Sequence, residues 1–324
     1  MVGDGGDDML SWDESVFREE TVFEIDHVPE TFRHRESQLE SLKYALRPAV
    51  RGSRPLNTVV RGPPGTGKTT AIQKLFGELA ARTEVRTVRV NCQVDSTRYA
   101  VFSRLFEGIF EYEPPSSGIS FKKLFSQITD RLVEEDEGLV VALDDVNYLF
   151  YENEASDTLY SLLRAHEAHA GAKIGVIVVS SDLGLNVVDD LDGRVQSVFR
   201  PEEVYFPVYD ATAIVEILRE RVDRGFHEGV LDTLVLDRVA QLTAEQGGDL
   251  RVGLAKQSLH DGTDWVLNEN VPDRGVGNPR ESDDRAPSKE TRQQGDTKDR
   301  KRNDQQRSDV GIRSKRSESR CTTA

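Results

Sequence analysis

The chain has 324 residues, carries 42 Lys+Arg against 57 Asp+Glu for a net charge of −15, and is only 37% apolar. That length leaves room for one large domain or two to three modest ones. The absence of any run of 18 apolar residues excludes a membrane-spanning helix. Cys92 and Cys321, the only cysteines, lie far apart in sequence, so neither a disulfide framework nor a cysteine zinc site is expected. The acidic start MVGDGGDDML lacks the cationic and apolar leader of a secreted chain, which points to the cytoplasm.

Residues 1–20 read as a flexible acidic N-terminus, with Trp12, Phe17 and Phe23 as anchors onto the core. From His34 to Val50 the pattern is an amphipathic helix, with Leu39, Leu42, Leu46 and Ala49 on one face. Asn57–Arg61 is a short strand, Lys68–Arg82 a helix and Glu84–Asn91 a second strand. Helices follow over Thr97–Phe110 and Ser120–Glu135. Gly138–Leu143 (GLVVAL) and Lys173–Ser180 (KIGVIVVS) are apolar runs of strand length, the pattern of strands buried on both faces. Ala155–Ala170, between them, is helical. His166 and His169 share that helix at a spacing metal sites use, but no third ligand is placed to complete a site.

Alternating strands and helices predict an α/β domain over 21–206, built on a parallel sheet covered on both sides. After Pro207 strand signals stop. Asp210–Arg224, Asp232–Glu245 and Asp249–His260 read as the helices of a small second domain over 207–267. From Asn268 onward the 57 residues hold seven apolar ones and no Leu, Phe, Met, Trp or Tyr, too few to offset chain entropy, so a disordered polar tail is expected there. A natural solvated tail and the product of a reading-frame shift both fit that composition. Residues 264–324 hold 14 basic and 12 acidic residues, which leaves 28 basic against 45 acidic, a net of −17, in the first 263. Only 7 of those 28 are Lys. Such a surface disfavours a general nucleic-acid coat but leaves room for a local basic patch.

Between the first strand and the helix after it lies Gly62-Pro63-Pro64-Gly65-Thr66-Gly67-Lys68-Thr69-Thr70. This fits the phosphate-binding loop G-x-x-x-x-G-K-[ST] in its required strand–loop–helix context. The glycines let backbone N–H groups close around a β-phosphate, and the helix N-terminus adds its positive end. Lys68 is expected to reach the β- and γ-phosphates of ATP (the β-phosphate when ADP is bound), and Thr69 to bind Mg²⁺. Such a loop needs an acidic partner on a neighbouring strand, which Leu143-Asp144-Asp145 supplies. Asp144 would hold the Mg²⁺ and Asp145 would orient the attacking water. Asp145 is a methylene shorter than a Glu, and a shift of ~1 Å in positioning can cost ~10²-fold, so hydrolysis should be slow.

Several ordered segments now carry a resemblance: Val28-Pro-Glu-Thr-Phe-Arg-His-Arg35, the phosphate loop, Val90-Asn-Cys-Gln93 followed by Ser96-Thr-Arg-Tyr99, LDDVNYL at 143–149, VVSSD at 178–182, LDGRVQSVF at 191–199 and GDLRVGL at 248–254. From about Val22 to His260 the chain resembles the archaeal origin-recognition/cell-division-cycle-six initiators of the AAA+ ATPase superfamily. Its acidic, Lys-poor composition is similar to that of proteins from salt-loving archaea. The resemblance implies an AAA+ nucleotide-binding domain with a helical lid, a protein that binds duplex origin DNA and other initiator subunits, and help in loading the replicative helicase. It implies that His34 and Arg35 line the adenine pocket, that Arg194 is an arginine finger acting on a neighbouring subunit, and that Arg251 senses the γ-phosphate from the lid.

Two departures from the family matter. Ser181 stands where an Asn usually polarises the attacking water, a second reason to expect slow turnover. The winged-helix domain that normally follows the lid has no counterpart in the pattern of 268–324. Any DNA contact is then expected from the insertion between the second and third strands, through Arg98, Arg104, Lys122 and Lys123. An initiator ATPase is the leading reading. The others are an auxiliary ATPase working through a full-length partner without binding DNA, and another AAA+ protein such as a clamp loader.

Overall fold

Burial along the strands dictates their order in the sheet. In the computed structural model, which describes residues 16–24, 26–115 and 118–258, β1 spans Thr58–Arg61, β2 Arg86–Asn91, β3 Gly138–Asp144, β4 Lys173–Ser180 and β5 Glu202–Tyr205. Every residue of β3 and β4 after the first is buried, and these two strands occupy the interior of the all-parallel order β2-β3-β4-β1-β5. The described residues fall in one unit; a second unit, Val266–Ala324, lies outside them, and with it the expectations for the tail.

The two faces of β3 feed two cores, as the period-2 pleat requires. Leu139, Val141 and Leu143 join the cluster under α3 (Arg98–Phe110), α4 (Phe121–Glu134) and α6 (Ala155–Leu163). Val140 and Ala142 join the cluster under α1 (Glu36–Val50) and α2 (Lys68–Ala80). The short α5 (Asn147–Tyr151) follows β3, while α7 (Ala165–Ala168) and α8 (Gly193–Gln196) flank β4. Three helices close the described chain around their own core: α9 (Ala211–Gly225), α10 (Thr233–Glu245) and α11 (Leu250–Ser258). Asp210 and Asp232 cap the first two through their carboxylates. Among the described residues no helix is long and apolar enough to cross a membrane.

Four expectations need correction. β5 was not anticipated, because an edge strand of sequence EEVY buries only Val204 and so lacks the apolar run of an inner strand. The single helix over 155–170 breaks at Arg164, whose ion pair with Glu167 accompanies the turn, while Arg54 donates to the freed Leu163 carbonyl at 2.9 Å. Helix α1 begins at Glu36 rather than His34, since His34 has φ 61°. Residues 16–20, expected to be flexible, form a strap on the lid. Phe17, Phe23 and Phe226 form an aromatic cluster with centroids 4.9–5.8 Å apart, and Arg221 donates to the Val22 carbonyl at 3.0 Å. The aromatic anchors thus grip the lid rather than the α/β core, and Trp12 lies outside the described residues.

Candidate functional site

The loop after β1 wraps the N-terminus of α2. Gly67 caps that helix in the left-handed region at φ 85°, and Gly65, at φ 66°, leaves no room for a Cβ because Asp249 of the lid lies against it. Inside the loop the Thr66 hydroxyl donates to the Pro63 carbonyl at 2.8 Å, and Lys68 Nζ donates to the carbonyls of Gly62 and Pro63 at 2.7 and 2.6 Å. Burial lowers the Lys68 amine to about 8, against the opposing pull of Asp145 and Asp144.

β4 lies between β1 and β3, so Asp144 is two strands away from the loop rather than on an adjacent strand. Helix α2 spans the gap: the Thr69 hydroxyl donates to Asp144 Oδ2 at 2.9 Å. Burial raises the Asp144 carboxyl, while the bonds from Thr69 and Arg89 work against that rise. A hydroxyl and a carboxylate oxygen held together form the hard donor pair that suits Mg²⁺, a cation bound through few protein oxygens, with water and phosphate completing its shell. The donor chemistry therefore fits that ion.

Asp145 turns out of the strand at φ 53°, and Ser181, just past β4, donates to its Oδ1 at 3.1 Å. From the lid, Arg251 holds Asp249 in a two-point pair, Nε to Oδ1 at 3.0 Å and Nη2 to Oδ2 at 2.8 Å. Burial alone would raise the Asp249 carboxyl, but these bonds outweigh it and hold it below the ordinary range. The Leu250 N–H reaches the Gly65 carbonyl at 3.4 Å, joining lid to loop.

These groups border a cavity of about 470 Å³, whose walls include Pro64 to Thr70, Asp145, Ser181 and Arg251, a volume suited to a small-molecule ligand. Gly62 and Pro63 stand behind it, as does Asp144. The far wall comes from Asp26, His27, Pro29, Thr31, Phe32 and Arg33, not from His34 and Arg35. His27 Nε2 is buried there without a hydrogen-bond partner, and burial, aided by Arg221 and Arg224, lowers its imidazole.

His34 sits with Nε2 3.0 Å from Glu216, though not aligned for a hydrogen bond. Arg35 is buried behind the wall, donating to the Thr66 carbonyl at 3.1 Å and stacked 3.8 Å over Tyr209. It braces the loop against the lid junction. Arg89 on β2, not anticipated from the sequence, borders the cavity and lies 3.3 Å from Asp144. The alternation RTVRVN carried the signal, because it places Arg89 on the opposite face from the buried Val88 and Val90.

The remaining candidates lie away from the cavity. Arg194, exposed on α8, pairs with Asp157 and Asp192. Arg98 pairs with the same Asp157 at 3.6 Å and stacks on Phe121, and Arg104 is held by Asp95 and Glu107. Lys122 and Lys123 are exposed in the first turn of α4. His166 lies beside Arg54 and His169 against Asp130.

Residues 31–179 match the profile of an AAA ATPase domain, and residues 215–256 match that of a Cdc6 AAA+ ATPase-type lid domain. The chain is 77% identical over 254 residues to the ORC1-type DNA replication protein 3 of Haloarcula marismortui, covering 78% of this chain and 68% of that protein. It is 70% identical over 263 residues to the ORC1-type DNA replication protein 6 of Halobacterium salinarum, covering 80% and 70%. Among solved structures, the Aeropyrum pernix ORC1 protein in complex with DNA matches with a TM-score of 0.68 at 31% identity, over 76% of this chain and 64% of that one. The chain thus spans about two thirds of the length of these relatives.

Proposed function

Since the chain belongs to the ORC1-type replication proteins of the AAA+ ATPase superfamily, we propose that it is a DNA replication initiator in which ATP acts as a switch between core and lid. The observation that carries this reading is the convergence of the phosphate loop, Asp145 and Arg251 on one cavity at the core–lid junction, with Asp144 held to the loop's Thr69. In that cavity the loop N–H groups and Lys68 hold the β- and γ-phosphates of ATP, or the β-phosphate of ADP, and Lys68 exchanges its two loop carbonyls for phosphate oxygens. Thr69 and Asp144 hold Mg²⁺, which when bound neutralises charge on the phosphates. Asp145, steadied by Ser181, orients the attacking water. Arg251 leaves Asp249 for the γ-phosphate and so ties the lid to the nucleotide; loss of that phosphate returns it to Asp249. Arg194 serves a neighbouring subunit's nucleotide by leaving Asp157 in the same way.

The finer reading is that the protein recognises duplex origin DNA and helps load the replicative helicase, alongside other initiator subunits, on the chromosome in the cytoplasm. Lys122 and Lys123 support a DNA contact. Two cations in the first turn of a helix oppose its dipole, and a phosphate would relieve that conflict. A second reading, an auxiliary ATPase that reaches DNA through a full-length partner, is favoured by the ion pairs that already engage Arg98 and Arg104.

Binding of the full chain to duplex origin-region DNA, with and without ATP, from low salt to molar KCl, separates the two. Specific binding that depends on nucleotide supports the initiator reading. ATP binding without DNA binding at any salt supports the auxiliary one. Failure to bind nucleotide at all overturns both.

A further inference from the structure

Arg89 lies two residues before Asn91, which β2 and β3 place in register with Asp144. From there its guanidinium reaches along the carboxyl edge of the sheet, with Nη1 3.3 Å from Asp144 Oδ2, the same oxygen that accepts the Thr69 hydroxyl. Arg86, on the same strand, has two carboxylate partners, Glu137 and Glu111. Arg89 has Asp144 as its one ion-pair partner among the described residues. Its side chain remains 37% exposed, on the wall of the cavity it shares with Lys68 and Arg251.

A carboxylate as buried as Asp144 needs a countercharge, and Arg89 supplies one from the protein itself. We infer that Arg89 is a positioning residue that stands against Asp144 where a divalent cation would otherwise provide the charge, and that in the cation's absence it bridges Asp144 to the nucleotide phosphates. This rests on the nucleotide-binding reading above. Two effects follow, and both act in one direction. A cation must displace a charge-assisted hydrogen bond to engage Asp144, which weakens its hold. Without a cation, the cavity still presents Lys68, Arg89 and Arg251 to the phosphates, which strengthens metal-free nucleotide binding. The coupling between Mg²⁺ and nucleotide, which linkage makes reciprocal, is therefore smaller than it would be with a neutral residue at position 89.

The test is the ratio of dissociation constants for a fluorescent ADP analogue measured in EDTA and in saturating Mg²⁺, on the full chain and its variants. Arg89→Gln should raise that ratio by about tenfold, within the usual span of coupling between ligands. Arg89→Lys, which keeps the charge, should stay near the wild-type ratio, and thermal melts without ligand check that both variants fold. An unchanged ratio in R89Q, or a ratio in R89K as high as in R89Q, overturns the inference. A wild-type chain that binds no nucleotide in either buffer fails the underlying reading instead, and the missing binding signal itself tells the two failures apart.

Discussion

Asp145 shows how a single backbone angle selects a side chain. Its φ of 53° lies where Asp and Asn are more at ease than longer residues, because a short polar side chain can bond locally. The bond from Ser181 at 3.1 Å is such a local tether. The result is a carboxylate one methylene shorter than Glu, held by a hydroxyl with a single donor. Ser181→Asn adds an amide with two donors and should raise single-turnover ATP hydrolysis by about tenfold, a modest fraction of what improved positioning can supply, with nucleotide affinity unchanged. Asp145→Ala should reduce hydrolysis to background with binding intact. Rapid-quench measurements with excess enzyme read both. A Ser181→Asn rate equal to that of the wild type would show that water positioning is not what limits this site.

Between elements, close approaches decide more than propensities do. Gly225 ends α9 where an added Cβ would strike the Phe23 ring and come within 2.8 Å of Val22, so Gly225→Ala overpacks the strap at a cost of about 1–3 kcal/mol. Gly77, inside α2, has nothing within 4 Å of the same added atom, and Gly77→Ala should gain about 0.5–1 kcal/mol from helix propensity alone. Thermal unfolding should therefore move in opposite directions, with faster proteolysis within residues 16–24 accompanying the loss in G225A. Neither sign is written in local sequence, since both glycines sit in comparable helical patterns. What local sequence does reveal is repetition: β3, β4 and the long amphipathic helices announce themselves through runs and periods. The phosphate loop and Asp144-Asp145 were legible because spacing alone fixes a strand–loop–helix cradle and an acid at a strand end. That Thr69 and Asp144 come together was legible as well, but not the strand that lies between their own. Arg35, Arg89 and the wall at residues 26–33 acquire their places through long-range packing that no short window contains. β5 escaped for the opposite reason, having too little to bury.

For the whole molecule, charge sets the conditions under which these contacts hold. The first 263 residues carry a net of −17, and much of the positive charge among the described residues is engaged in ion pairs, such as Arg86 with Glu137 and Arg224 with Glu19. Excess carboxylates repel one another in the compact state more than in the expanded one, which destabilises folding. Salt acts on this term first: the screening length is about 10 Å at 0.1 M and about 3 Å at 1 M, so repulsion between surface carboxylates fades while contacts shorter than 3.5 Å persist. Exposed ion pairs weaken over the same range, but each contributes only about 0–1 kcal/mol, whereas the repulsion sums over the surface. Stability should therefore rise with KCl, with a gain of a few kcal/mol and about 10 °C in the unfolding midpoint between 0.1 and 2 M. Scanning calorimetry in KCl at fixed pH reads this directly. Screening has a second consequence at the same scale, because DNA binding by counterion release weakens steeply over that interval. An initiator of the proposed kind, if it works in molar salt, would have to derive its hold on DNA from contacts that salt does not erase, and the salt slope of any DNA binding, measured beside the melting curve, would count the phosphates neutralised. A midpoint that falls as KCl rises would mean that specific ion pairs, not repulsion, dominate the electrostatics of this fold.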